Sequence, residues 1–413
     1  MKKNIKMVLA LFSSLSIALT GCSLSGGDTP KATEYLTDEE SEETEKVEDE
    51  ASSKEDSIVV VNNLCEPVLD ELEHEDEIAS EKTEEETQEE DSEESEFEHI
   101  DIVFFGDSQI ANGRSDGSDI PSLLTTRVPN CSVYNLAIGG TTASVEKSTN
   151  DVNPENMHST SFLGMTYCLA GKSDRNATLG DNNRTVLETM NKVNPDDVDY
   201  YVIEYGANDF FNEVPLDTQS YDQAEKAHAY YNAMRLGIDV LQSISPDARI
   251  FIMSPFYGVY VNDDGSYVGD SYIVSNGIGT LADYAKKARN VSEDIEETFI
   301  DCMFMSRCDL YLDTASEYLS DNLHLSLLGR QIFTRLLAHN INYSMKYEPF
   351  AYLDSDFIKI AEYDTEETYR YDESQMKQYY PESWEKYIKG MFPLAQPSEE
   401  ALAKYNAEQN SDG

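Results

Sequence analysis

Basic side chains are scarce in this sequence: 30 Lys and Arg stand against 80 Asp and Glu, a formal net charge of -50 at pH 7 with a pI of about 4.2. A surface of that sign repels phosphates and anionic headgroups, which excludes a nucleic-acid binder. Histidine is also scarce. Of the six, His74, His99, His158, His228 and His339 lack the paired spacing of metal ligands, so no metal site is expected. No Walker-type phosphate loop is present, because Gly139-Gly140 lacks the following lysine, and no cofactor is called for. The apolar run Met7 to Leu19 is too short to span a bilayer comfortably.

That run has the length of a signal-peptide core. Lys2, Lys3 and Lys6 precede it, and it ends in Leu19-Thr20-Gly21-Cys22, which resembles the lipobox of bacterial lipoproteins. The expectation is a signal peptide over 1–21, cleaved to leave Cys22 as an acylated N-terminus. Several acyl chains make a stable anchor where one holds only marginally, so the mature chain is expected to sit lipid-anchored on the outer face of a cell membrane. Of the five other cysteines, Cys302 and Cys308 are close enough to bridge in an oxidising compartment. Their odd number and the strand setting of Cys131 and Cys302 point instead to mostly buried thiols.

From Ser23 to Glu98 the chain carries 31 acidic residues against four lysines and few aromatics. Such a segment cannot bury enough apolar surface to offset its ordering entropy, so 22–98 is expected to be a disordered acidic tether. As a flexible coil it spans on the order of 50 Å, more with self-repulsion. One apolar patch stands out, Ile58 to Val61 with Leu64, Cys65, Val68, Leu69 and Leu72. It is either a short element docking on the main domain or a transient cluster in the tether.

From His99 to about Pro349 strand and helix patterns alternate. Near-continuous apolar strands are expected at Ile100–Phe105, Cys131–Ile138, Asp199–Tyr205, Arg249–Ser254 and Thr298–Met303. Helices are expected at Ile120–Val128, Arg184–Val193, Gln223–Ile244 and Leu281–Glu297. The pattern predicts a parallel sheet covered by helices on both faces, with every strand-to-helix turn on one edge. In such sheets the ligand crevice lies beyond the carboxyl ends of the strands.

Three turns therefore converge. Ser108 follows the first strand and is the candidate nucleophile. Gly139-Gly140 follows the second, and Asn208 the third. A glycine N–H that approaches closely and a neutral side-chain amide are suitable donors to an oxyanion. Taken singly, each of these pieces is an ordinary turn signal. A general base is offered by Ser320-Asp321-Asn322-Leu323-His324, where a carboxylate three residues before an imidazole can orient it. Ser326 reads as the N-cap of a closing helix with Leu328, Ile332, Phe333, Leu336 and Leu337 at helical spacing.

In this order, Phe105-Gly106-Asp107-Ser108-Gln109, Asn135 to Thr142, Gly206-Ala207-Asn208-Asp209 and Asp321-Asn322-Leu323-His324 together resemble the four blocks of the SGNH or GDSL hydrolase family, over about His99 to Ala338. The resemblance implies a flavodoxin-like three-layer α/β sandwich with Ser108 as nucleophile, His324 as base and Asp321 as its orienter. It implies an oxyanion hole of the Ser108 and Gly140 backbone N–H groups and the Asn208 side chain. Asp107, Gly206 and Asp209 are expected to support the turns that carry these groups. Gln109 stands where GDSL members carry leucine, a position outside the chemistry.

Two insertions, Thr149 to Asn183 around an apolar Phe162 to Ala170, and Tyr257 to Gly279, follow strand ends and either lie over the cleft, where tyrosines would suit stacking on sugar rings, or merely cover the sheet edge. Beyond Pro349 the 350–413 extension is acidic and tyrosine-rich, with a short helix over Pro381 to Lys389 and a helical end from Pro397. It is too small for an independent core, and either packs on the domain or extends as an interaction arm. The expected activity is removal of an acyl group, acetyl above all, from a small ester or an acylated carbohydrate. The alternatives are an O-acyltransferase to a cell-wall or exopolysaccharide hydroxyl and, from another class, a non-catalytic surface-binding lipoprotein.

Overall fold

Ile102, Val103, Phe104 and Phe105 are fully buried on both faces of their strand, and four more strands line up around it. A computed structural model describes residues 97–365 and 372–411. The signal peptide, Cys22, the Ile58 to Leu72 patch and the tether, apart from Phe97 and Glu98, lie outside the described residues.

The strands in chain order are β1 (Ile100–Gly106), β2 (Cys131–Asn135), β3 (Val198–Glu204), β4 (Arg249–Met253), β5 (Val259–Val261), β6 (Tyr267–Asp270) and β7 (Thr298–Ile300). Five form a parallel sheet in the order β2-β1-β3-β4-β7. This is the doubly wound α/β architecture expected. The chain leaves β1 toward β2 and then returns to the other side of β1 as β3, so the crevice opens beyond the ends of β1 and β3. With right-handed crossovers, the helices Phe162–Leu169, Tyr230–Ile244 and Leu281–Ile295 cover one face, and Ile120–Leu124 with Leu327–Ser344 cover the other.

Several elements are shorter than the pattern predicts, for local reasons. β7 stops at Ile300 because the Asp301 carboxylate accepts the N–H groups of Met303, Phe304 and Ser306 at 3.0, 2.7 and 3.1 Å and turns the chain. The long helix expected over Gln223 to Ile244 is two, Gln223–Ala227 and Tyr230–Ile244. At the break the N–H groups of Tyr230 and Tyr231 donate to the carbonyls of Pro215 and Leu216 at 2.9 and 3.0 Å, which diverts them from the helix ladder. The His228 ring sits between the carbonyls of Val145 and Thr149, at 2.9 and 3.0 Å.

The first insertion is not a flap over the cleft. Its helix Phe162–Leu169 buries seven of its eight residues in the layer and packs on Tyr230–Ile244, where Gly237 makes room for the Phe162 ring. The second insertion forms the antiparallel β5–β6 hairpin. Cys131, Cys168, Cys302 and Cys308 are free thiols, the last three buried.

Of the two expectations for the extension, it packs. Ile358 and Ile360 join the main core, and Ala351, Tyr352, Met376, Tyr387, Phe392 and Ala395 form a small cluster that the sequence reading did not anticipate. Asp356 accepts both Arg335 Nε and a terminal Arg335 nitrogen at 2.7 and 3.0 Å. The His339 ring lies 2.7 Å from Glu348 and 3.0 Å from Asp356.

Candidate active site

β1 ends in Gly106, and Asp107 then caps the short helix Ser108–Ala111, its Oδ1 accepting the Gln109 N–H at 2.9 Å. The cap puts Ser108 at the mouth of the crevice. Its Oγ lies 2.8 Å from His324 Nε2, across 216 residues of chain. His324 Nδ1 lies 2.7 Å from Asp321 Oδ2. Nδ1 therefore donates to the carboxylate and Nε2 is left to accept the serine proton.

Asp321 also builds the turn. Its Oδ1 accepts the N–H groups of Leu323 and His324 at 3.1 and 2.7 Å, while Asn322 takes the left-handed conformation at φ 70°, which asparagine tolerates. The turn is anchored by Ser326, whose side chain caps the helix Leu327–Ser344 through Gly329 N–H at 3.2 Å. Burial tends to raise the Asp321 carboxyl, but its bonds from His324 and Leu323 hold it down at about 2. Burial tends to lower His324, yet the Asp321 hydrogen bond and charge, with the Asp107 charge behind them, hold it above its ordinary value.

Gln109 does more than a leucine can. Its amide nitrogen donates to the Leu323 carbonyl at 2.8 Å and its oxygen accepts the Leu325 N–H at 3.2 Å, so one side chain clamps the backbone on both sides of His324. Gln109, expected outside the chemistry, stays outside it. It makes no contact with a reacting atom, but it ties the nucleophile's helix to the base's turn.

β3 delivers Asn208. Gly206, at φ 139°, turns the chain where a Cβ would lie 2.9 Å from Pro255, and the buried Asn208 amide then donates to Asp107 Oδ2 at 3.0 Å. Asp209 accepts the N–H groups of Ala143 and Ser144 and the Ser144 hydroxyl at 2.9, 3.2 and 2.9 Å, which ties the β3 turn to the loop after β2. Burial pushes this carboxyl up to about 6 despite those three donors. In that loop Gly140 has φ 76°, in a turn closed by the Thr141 N–H and the Ile138 carbonyl at 3.4 Å. Gly139 is the glycine that abuts the serine: a Cβ there would lie 3.7 Å from Ser108 Cβ, whereas one on Gly140 would meet open space.

One further group, Glu204, the last residue of β3, is not among the expected site residues. It is fully buried, and no N–H or O–H donor among the described residues meets either carboxyl oxygen at full hydrogen-bond geometry. An acid inside a strand otherwise apolar from Tyr200 to Ile203 is a signal the sequence did contain. Among the described residues no group of three or more His, Cys, Asp or Glu side chains is placed to hold a metal ion.

An imidazole-activated hydroxyl beside a glycine loop and a buried amide is equipped for acyl transfer. The family model of the GDSL-like lipase/acylhydrolases matches residues 102–336, from β1 into the closing helix. The chain belongs to the GDSL-like lipase/acylhydrolase family. This hydrolase is accordingly a carboxylic ester hydrolase. No curated protein matches it. Among solved structures it is similar to a possible lipase from Chitinophaga pinensis, at 16% identity over 60% of this chain and 99% of that one, TM-score 0.40. The Axe2 acetylxylan esterase from Geobacillus stearothermophilus is similar at 17% identity over 60% and 95%, TM-score 0.32. A family two carbohydrate esterase from Clostridium thermocellum, solved in complex with cellohexaose, is similar at 14% identity over 60% and 64%, TM-score 0.34.

Proposed function

We propose that this hydrolase is a membrane-tethered, extracytoplasmic serine esterase that removes acetyl groups from an acylated carbohydrate through a Ser108 acyl-enzyme. The observation that carries the serine mechanism is the relay Ser108 Oγ, His324, Asp321, with links of 2.8 and 2.7 Å. In it the Ser108 oxygen attacks the ester carbonyl while its proton passes to His324 Nε2. Asp321 fixes the ring tautomer and stabilises the imidazolium. The negative charge on the tetrahedral oxygen falls to the Ser108 N–H, a glycine N–H of the Gly139-Gly140 loop and the Asn208 amide. As the C–O bond to the sugar breaks, His324 returns the proton to the departing sugar oxygen, which leaves as a hydroxyl, and water activated by the same base then releases the acid.

The carbohydrate reading is supported by the hairpin. β5 is hydrogen-bonded to the base's own turn, Val259 N–H to the Asn322 carbonyl at 2.8 Å. Beyond it Tyr267 and Tyr272 are 49% and 42% exposed, a surface for stacking on sugar rings. Tethering rests on the sequence alone: Leu19-Thr20-Gly21-Cys22 after a short apolar run, and then the acidic 22–98.

The deciding measurement is turnover of p-nitrophenyl acetate by the wild-type chain beside Ser108→Ala. Serine-dependent release is expected, with a loss on the order of 10⁴-fold or more in the variant. Equal rates would refute the mechanism. Acetate release from acetylated xylo-oligosaccharides tests the substrate class, and acetyl transfer to an added oligosaccharide in place of release would make the enzyme an acyltransferase.

A further inference from the structure

Glu204 is the one acid in the heart of the sheet that the relay leaves unused. As the last residue of β3 it stands in register with Gly106, the last residue of β1, and its carboxyl adjoins the side chain of Asp107, one position before the nucleophile. Both acids are fully buried. Asp107 is well supplied with donors: Oδ1 accepts Gln109 N–H at 2.9 Å and Oδ2 accepts the Asn208 amide at 3.0 Å. Glu204 has no such supply: neither oxygen meets a donor at full hydrogen-bond geometry, and the neighbour that bears on it most is Asp107, through its carboxyl and, in the opposite sense, its backbone N–H. Among the described residues no lysine or arginine pairs with either acid.

Two adjacent carboxyls without a cation cannot both ionise in a buried site. Acceptor bonds favour the charged form, so the charge belongs on Asp107 and the proton on Glu204. We propose that Glu204 is a positioning residue: as an un-ionised carboxylic acid it donates its proton to the Asp107 carboxylate and fixes the orientation in which that carboxylate holds the Asn208 amide. This inference rests on the serine-esterase reading above. It adds that the oxyanion side of the site is held by a shared proton, in the same way that the base is held by Asp321.

The surroundings agree. Burial raises Glu204 well above the ordinary carboxylate range, and the charges of Asp107 and Asp209 push it further. The other ionisable groups that share its field, Tyr205, Tyr230 and Cys302, are all acids raised by burial and by Glu204 itself, so nothing facing it welcomes a second negative charge. Burial raises Asp107 too, but the Gln109 N–H, the bond with Glu204, the charge of His324 and the Asn208 amide all act in the opposite sense. When alkali finally ionises Glu204, the two carboxylates repel, Asp107 turns, and the Asn208 amide loses its aim.

The test uses the full chain and p-nitrophenyl acetate. Glu204→Leu keeps the volume and removes the donor. It is expected to lower kcat about 10- to 100-fold with KM within about twofold of wild type. Its melting temperature is expected to fall, since the buried Asp107 carboxylate loses a hydrogen-bond donor, so kcat is compared at a temperature where both proteins are folded. Glu204→Gln, a neutral donor at every pH, is expected to restore kcat to within about threefold of wild type and to abolish the alkaline decline. The infrared difference between wild type and Glu204→Gln at neutral pH should show the carbonyl stretch of a protonated acid.

Wild-type kcat in Glu204→Leu, equal damage in both variants, or a missing acid band would overturn the proposal. If the wild-type chain itself shows no Ser108-dependent turnover, the esterase reading has failed, and the infrared band still decides where the proton sits.

Discussion

At the residue scale the site divides into groups chosen for chemistry and groups chosen to hold them. That Ser108, His324 and Asp321 come together was legible in the sequence, because acyl transfer admits few residue types and Asp321 and His324 share one short turn. Gln109 and Glu204 were not. Each acts through a partner remote in sequence, Leu323 and Leu325 for the first and Asp107 for the second, so no spacing announces it.

The Asp321 bond has a measurable consequence. His324 must be neutral to accept the serine proton, and it is held above its ordinary value of about 6.5. The acid limb of kcat/KM is therefore expected to rise through an apparent pKa above about 6.5. In Asp321→Asn the counter-charge is gone, so the limb moves to lower pH while the plateau falls on the order of 10⁴-fold. A pH profile of both enzymes checks this, and a limb that stays put in the variant counts against it.

At the element scale, the strands and the closing helix were legible as existing elements, and their ends were less so. Cys131–Asn135 and Thr298–Ile300 carry runs of apolar residues past their last ladder pair, and side-chain acceptors such as Asp301 decide where pairing stops. The break at His228 and Ala229 has no helix-breaking residue to reveal it. It is imposed by the carbonyls of Pro215 and Leu216, which belong to a different loop.

One glycine inverts a usual rule. Replacing a mid-helix glycine by alanine gains about 1 kcal/mol of helix propensity. A Cβ on Gly237 would lie 2.4 Å from Phe162, whose ring is fully buried against Phe105 and Tyr205 and has nowhere to retreat. Overpacking at about 1–3 kcal/mol wins, so Gly237→Ala is expected to lower the urea midpoint. An unchanged or higher midpoint would show that the ring yields.

At the scale of the whole molecule, alternation of elements was enough to read a parallel sheet with its turns on one edge, and the order β2-β1-β3-β4-β7 realises it. The docking of the extension was not legible. It depends on a buried cluster in which Arg335 and His339 of the closing helix meet Glu348 and Asp356, and in the sequence these are unremarkable charges in a chain full of acids.

Burial tends to lower His339, but the bonds and charges of Asp356 and Glu348 hold it above its ordinary value. Its contribution to stability is thus complete below about pH 6.5 and is lost as pH rises through the higher folded-state value. Burial tends to raise Asp356, yet the bond and charge of His339, with Arg335, hold it low. Its contribution is present above about pH 3.9 and is lost as pH falls. The cluster is strongest between those limits. The urea midpoint of wild type is expected to decline from about pH 6.5 upward, and that of His339→Gln to stay nearly flat. Parallel slopes would dismiss the cluster as the cause.

The pairing of Gly106 with Glu204 has a last implication for how the machine can flex. Ser108 and Asn208 follow strands whose last residues are paired in one ladder, so backbone bonds limit their separation. The imidazole comes from a distant stretch and meets them through side-chain ties, chiefly one glutamine. Any relative motion within the candidate site is therefore expected at that joint, with Ser108 and Asn208 moving together and His324 moving against them.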